Sequence, residues 1–220
     1  MEAPLTQKDI EREIIAAEME NRRADFKNKI IEELNLSEME IRIPLSFERC
    51  KFLGPVYFSK AIFFENLDFS FAIFTRIFYL GEAVFRKDLI CPQILGREGI
   101  NLVSARIEGN INLNEAKIKG FVGLNRAKIL GNANLKGITI QNLKESIGTI
   151  EGTLYCRGAQ IRNLDLEGAI IEGDLDLQKV TLFGNLNLKN TIIEGRLFLR
   201  GGQIAGKINV EGLKYKEKIE

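Results

Sequence analysis

Residues 169–210 read AIIEGDLDLQK (169–179), VTLFGNLNLKN (180–190), TIIEGRLFLRG (191–201) and GQIAGKINV (202–210), one eleven-residue unit written four times. Apolar residues alternate with polar ones inside each unit, as in Ile171, Leu175 and Leu177. That is the period of a strand and not of a helix. Pairs that favour turns follow the second leucine: Gln178-Lys179, Lys189-Asn190 and Arg200-Gly201. Eleven residues enclose no core, so each unit must stack on the next and the object is a solenoid.

Working outward, the phase extends from Met39 to Tyr215 as inward pairs two residues apart, stepped alternately by six and five. Examples are Leu45/Phe47, Cys50/Phe52, Val56/Phe58, Ala61/Phe63 and, far downstream, Ala127/Ile129. Two units, Ile140 to Ile150 and Ile161 to Ile171, are one residue short. The register gives 66 inward positions; at 28% charged composition about 18 would carry charge by chance, and only Glu145 does. Glu145 sits in the short unit and is expected to twist outward. Of the sixteen alternate pairs from Cys50 onward, twelve begin with Ala, Cys, Gly or Thr, as a narrowing four-sided interior requires. Two eleven-residue units per coil give about eight coils over 39–215, roughly 40 Å at strand spacing.

Small-x-[Leu/Phe] at five-residue steps resembles the pentapeptide-repeat family, whose motif is Ala-[Asp/Asn]-Leu-x-x. Ala133-Asn134-Leu135 and the Phe-x-x-Ala-x-Phe runs at 58–63 and 69–74 carry it. The resemblance implies an all-β solenoid, a right-handed quadrilateral β-helix. The sequence departs from the motif by one added residue in every second unit, usually Gly (109, 120, 131, 152, 173, 184, 195, 206). In the short units Asn142 and Asn163 take that place. Gly and Asn tolerate positive φ, so this column reads as a bulge repeated on one corner. A leucine-rich repeat shares Leu-x-Leu-x-x-Asn, but it would make alternate units different.

Residues 1–38 read as an N-terminal helical cap, 39–215 as the β-helix and 216–220 as a charged tail. Thr6 and Asp9 form a weak capping box. Ile10, Ile14, Ile15, Met19, Phe26, Ile30 and Ile31 recur at helical spacing, one or two helices broken near Asn21. Such a segment either covers the open end of the solenoid or docks a partner or a second copy. Ala24-Asp25-Phe26 looks like a repeat unit but falls out of phase.

Chemistry is harder to find. There is no His, which removes the commonest general base and metal ligand. Cys50, Cys91 and Cys156 have no metal spacing and fall at inward positions, so they read as packing residues in a reducing cytoplasm. Lys plus Arg (31) balances Asp plus Glu (30). Direct nucleic-acid binding therefore has no global field behind it, and no apolar run reaches membrane-span length. Catalytic, metal and cofactor-binding residues are none, and no cofactor is expected. A first partner surface is expected at the outward residues Ile170, Ile192, Phe183 and Phe198. The uncapped carboxyl end suggests an end-to-end dimer contact through Ile208, Val210, Leu213 and Tyr215.

The expected function is a non-catalytic scaffold binding another protein or a second copy. The resemblance implies an alternative, a DNA mimic acting on a type II topoisomerase such as DNA gyrase; mimicry needs a strongly negative rod, which a net charge of +1 does not supply. An enzyme using carboxylates is the third reading.

Overall fold

The computed structural model describes residues 3–144 and 148–219; Glu145 lies outside the described residues. One helix, α1 (Gln7–Met19), precedes a parallel β-solenoid of about nine turns. Each coil has four short strands, here called faces one to four. In the second coil these are Leu45–Ser46, Lys51–Phe52, Val56–Tyr57 and Ile62–Phe63. Each pairs in parallel with its counterpart 22 residues on: Leu45 with Leu67, Lys51 with Ile73, Val56 with Phe78, Ile62 with Val84. Faces one and four share one sheet, and faces two and three the other.

Two kinds of corner bend the chain. At the tight corner an i to i+3 hydrogen bond closes a turn: the Ala61 N–H donates to Phe58 O at 3.1 Å, with Lys60 at φ 60°. A positive φ at the third residue suits a type II turn, and it recurs at Lys60, Phe71, Glu82, Gln93 and Ser104. The small inward residue comes straight after this turn, where the wall bends hardest: Ala61, Ala72, Ala83 and Ala105 are all fully buried or nearly so. The Asp or Asn of the repeat also works here. Asp68 Oδ1 accepts the Ser70 N–H at 2.8 Å, and Asp176 Oδ1 accepts that of Gln178 at 2.9 Å. These Asx turns shape the same corner.

The wide corner carries the extra residue, and it corrects two expectations. The glycine column occupies two corners per coil, not one: 109, 131, 152, 173 and 195 lie between faces four and one, and 120, 184 and 206 between faces two and three. Nor do these glycines adopt positive φ; the positive-φ glycines are 137, 158, 168, 201 and 212. The wide-corner column is glycine because the coils touch there. A Cβ at Gly131 would sit 2.4 Å from Gly109 O. The Gly131 N–H donates to that same oxygen at 3.1 Å, and Gly152 and Gly173 repeat the bond. A bulge is present where a wide corner faces a short one, as the register shift between Ile118 and Phe121 shows.

The interior is almost wholly apolar and graded. Phenylalanines fill the first coils in stacked ladders, such as Phe26–Phe47–Phe69 at 4.9 and 5.2 Å and Phe52–Phe74 at 4.9 Å. Ile and Leu take over downstream.

The domain boundaries also move. Residues 24–35 are not a second helix: Ala24–Asp25, Ile30–Ile31 and Leu34–Asn35 are the first coil, paired to 45–46, 51–52 and 56–57. Leu34 follows Ile31 by three positions, whereas Val56 follows Phe52 by four. The missing wide-corner residue put Ala24-Asp25-Phe26 out of phase. The same deletion makes the two short units. That added coil turns the expected eight into about nine. Leu5 adds a further bridge to Ile31. Helix α1 starts at a full capping box and buries Ile10, Ile14 and Ala17 in the core, leaving Ile15 and Met19 exposed. At the other end, 216–219 are not a tail: Lys214–Ile219 is a strand paired to Ile192–Phe198.

Candidate functional site

The backbone of each inner coil is consumed by its neighbours, so along its length the rod recognises with outward side chains. On face four several of these side chains pair among themselves. Arg42 holds Glu40 at 2.6 Å, Glu108 takes both Arg86 and Arg106, and Lys128 holds Glu151 at 2.9 Å. The Glu108 carboxyl is held below the usual carboxylate range, chiefly by its hydrogen bond to Arg106.

Face two is built differently. Its outward residues form two ridges, two residues apart along each strand. One carries Lys51, Ile73, Leu95, Lys117, Thr139 and Gln160; the other carries Thr75, Arg97, Lys119, Gln141, Arg162 and Phe183. Between them runs a groove of about 840 Å³, with Gly96, Ile118 and Ile140 at its floor and a mostly apolar lining. Leu95 is 44% exposed and Phe183 63% exposed. Lys51, Arg97, Lys117, Lys119 and Arg162 make no ion pair among the described residues. Two carboxylates on the flanking corners are engaged elsewhere: Glu98 accepts from Arg76 at 3.1 Å and from the Ile77 N–H, and Glu115 accepts from Gln93 at 3.1 Å.

Residues 44–87 match the family model described as pentapeptide repeats (9 copies). Over that stretch the chain is similar to pentapeptide repeats, and the parallel β-solenoid is consistent with a pentapeptide-repeat protein. The match spans the Phe-rich coils, about a fifth of the chain, and the same parallel stacking continues on both sides of it. No curated protein matches the chain.

In this solenoid the four outward residues expected to share a surface lie on three faces. Ile170 and Ile192 are neighbours in register on face four, the first exposed and the second half-buried. Phe198 pairs with Asp176 on face one, under the Arg196 guanidinium at 5.0 Å. Phe183 closes the face-two groove. At the carboxyl end Ile208, Val210 and Tyr215 are exposed and Leu213 half-buried, around a pocket of about 430 Å³.

The cysteines are buried, and burial is the main cause that pushes Cys50 up to about 11 and Cys156 up to about 12, with Cys91 raised as well. A thiol held in its neutral form is a poor nucleophile. Among the described residues no group of three or more Cys, Asp or Glu side chains gathers as a metal would need, and no helix is long and apolar enough to cross a membrane.

Sequence reading missed the five groove cations. They are scattered among acids along the chain. Only columns stepped by 22 residues, and by 21 across the short coils, bring Arg97, Lys119, Gln141 and Arg162 into line.

Proposed function

We propose that the protein is a non-catalytic scaffold, working in the cytoplasm, that holds a partner protein against face two. One observation supports this above others: face four pairs Arg42, Arg86, Arg106 and Lys128 with its own carboxylates, whereas among the described residues face two leaves five cations without an ion pair beside an exposed apolar groove. Unpaired like charges repel one another in the free rod, and an anionic partner removes that cost. The DNA-mimic reading fares worse, since mimicry needs phosphate-like negative charge and this groove is basic. A photo-crosslinking residue placed at Gln141 in the native cell should give a discrete protein adduct, and one at Thr149 on face four should not. Failure to label anything from face two overturns the proposal.

A second contact is favoured at the carboxyl end. Strands Gln203–Ile204 and Ile208–Asn209 each pair on one side only, and Ile208, Val210, Leu213 and Tyr215 surround the exposed pocket. A second copy docked there would cover both. Light scattering at micromolar concentration should show a dimer that Ile208→Lys dissociates; a monomeric mass removes this contact.

A further inference from the structure

The length, floor and charge of the face-two groove narrow what occupies it, given the scaffold reading above. We infer that the groove takes an acidic amphipathic α-helix of the partner, lying along the stack and across the strands.

The groove runs from the rung of Lys51 to that of Phe183, seven rungs in all. At the ~4.8 Å strand spacing that is roughly 29 Å, the length of a helix of about nineteen residues. Strand addition is closed to the occupant, because the strands of face two already donate and accept to the coils above and below; Lys117 pairs with both Leu95 and Thr139. A chain lying across them must satisfy its own backbone, as a helix does and an extended peptide does not. The spacing also fits. The ridges stand about 7 Å apart, being two residues along a strand, which admits one row of side chains. A helix offers such a row every 5.4 Å turn, close to the coil repeat.

The charges then set the helix's composition. Lys51 and Lys117 stand on one ridge and Arg97, Lys119 and Arg162 on the other, so carboxylates flanking the apolar stripe on both sides meet cations. Leu95 and Phe183 offer apolar ground for the stripe. A nucleic acid fits less well: its phosphates gain nothing from Ile73, Leu95 and the apolar floor, and one aromatic, Phe183, gives no series of stacking platforms.

The test uses the full chain and a fluorescein-labelled twenty-residue helical peptide with Leu at i, i+4, i+7 and i+11 and Glu flanking that stripe. Fluorescence anisotropy should show micromolar binding. A peptide of the same composition with the stripe scrambled should bind at least tenfold more weakly, as should the intended peptide to Lys117→Glu/Lys119→Glu. Exposed charge reversals leave the fold in place, which circular dichroism and the unfolding temperature check. Glu-rich peptide binding that ignores the stripe, tighter binding of a DNA duplex or single strand, or no binding at 100 μM each overturns the inference. A Gln141 adduct combined with no peptide binding leaves the scaffold reading standing and removes the helix. Absence of both removes both.

Discussion

Gly120 lies so close to the coil before it that a Cβ there would fall 1.5 Å from the carbonyl oxygen of Glu98. Nothing flexible is available to yield, because the obstacle is backbone. Gly120→Ala must push neighbouring coils apart and is expected to cost at least about 3 kcal/mol, at the upper end of overpacking effects. Gly158 is the control. Its φ is +68°, and a Cβ there meets nothing within 4 Å. Gly158→Ala should cost only about 1–2 kcal/mol, the strain of a left-handed backbone with no steric clash added. Denaturant titration of both variants checks the contrast; equal losses would mean that backbone conformation and not coil spacing selects glycine.

A side-chain ladder climbs the wide corner between faces four and one. Asn110 Oδ1 accepts the Asn132 N–H at 2.9 Å, Asn132 Oδ1 that of Thr153 at 2.8 Å, and Asp174 Oδ1 that of Arg196 at 2.7 Å. Asp174→Ala should destabilise by about 1 kcal/mol, because water reaches the freed N–H. Asp174→Asn keeps the acceptor and should recover most of that.

The same aspartate makes stability depend on acid. Burial works to raise the Asp174 carboxyl, but hydrogen bonds and charge from Arg196 more than reverse this and leave it lowered. A folded pKa below the unfolded one stabilises at pH above the ordinary carboxylate value, and that contribution is lost as pH falls through the folded pKa. Asp174→Asn should therefore lose less stability than the parent between pH 5 and pH 2, as urea midpoints across that range would show.

The buried thiols set the alkaline limit with the opposite sign. Burial raises Cys50, Cys91 and Cys156 in the folded chain, so their contribution is complete below the unfolded thiol value near 9.0 and declines as pH climbs above it. Each thiol can contribute a slope of up to about 1.4 kcal/mol per pH unit. Cys156→Ala should flatten the decline between pH 8.5 and pH 10. A thiol reagent should leave the native protein unlabelled until it unfolds.

The Phe ladder separates core from surface within two residues. Phe69 is fully buried, stacked 5.2 Å from Phe47 and edge-on to Phe78 at 4.8 Å. Phe69→Ala should cost about 3–5 kcal/mol. Phe71 is 41% exposed, beside Arg49. Phe71→Ala should change stability by no more than about 0.5 kcal/mol. Thermal unfolding followed by circular dichroism tests both.

The sequence alone determined which way most residues from Leu45 onward face. Period-two alternation and a steady phase placed the inward pairs from Leu45/Phe47 to Ile138/Ile140 and from Gly148/Ile150 to Ala169/Ile171 in the core, because a one-residue slip would turn every apolar side chain to water. It also carried the three buried thiols and the capping box at Thr6 and Asp9. It did not carry the first coil, since the deletion between Ile31 and Leu34 shifts the phase by one and α1 supplies a competing helical pattern. Nor did it explain the glycines: proximity between residues 22 apart, such as Gly120 and Glu98, exists only once coils are stacked. The same holds for charge. Along the chain Lys117, Lys119 and Arg162 are three cations among many acids. Stacking sorts them by face, pairing Arg86 and Arg106 with Glu108 on one side and leaving the groove cations on another without an ion pair among the described residues.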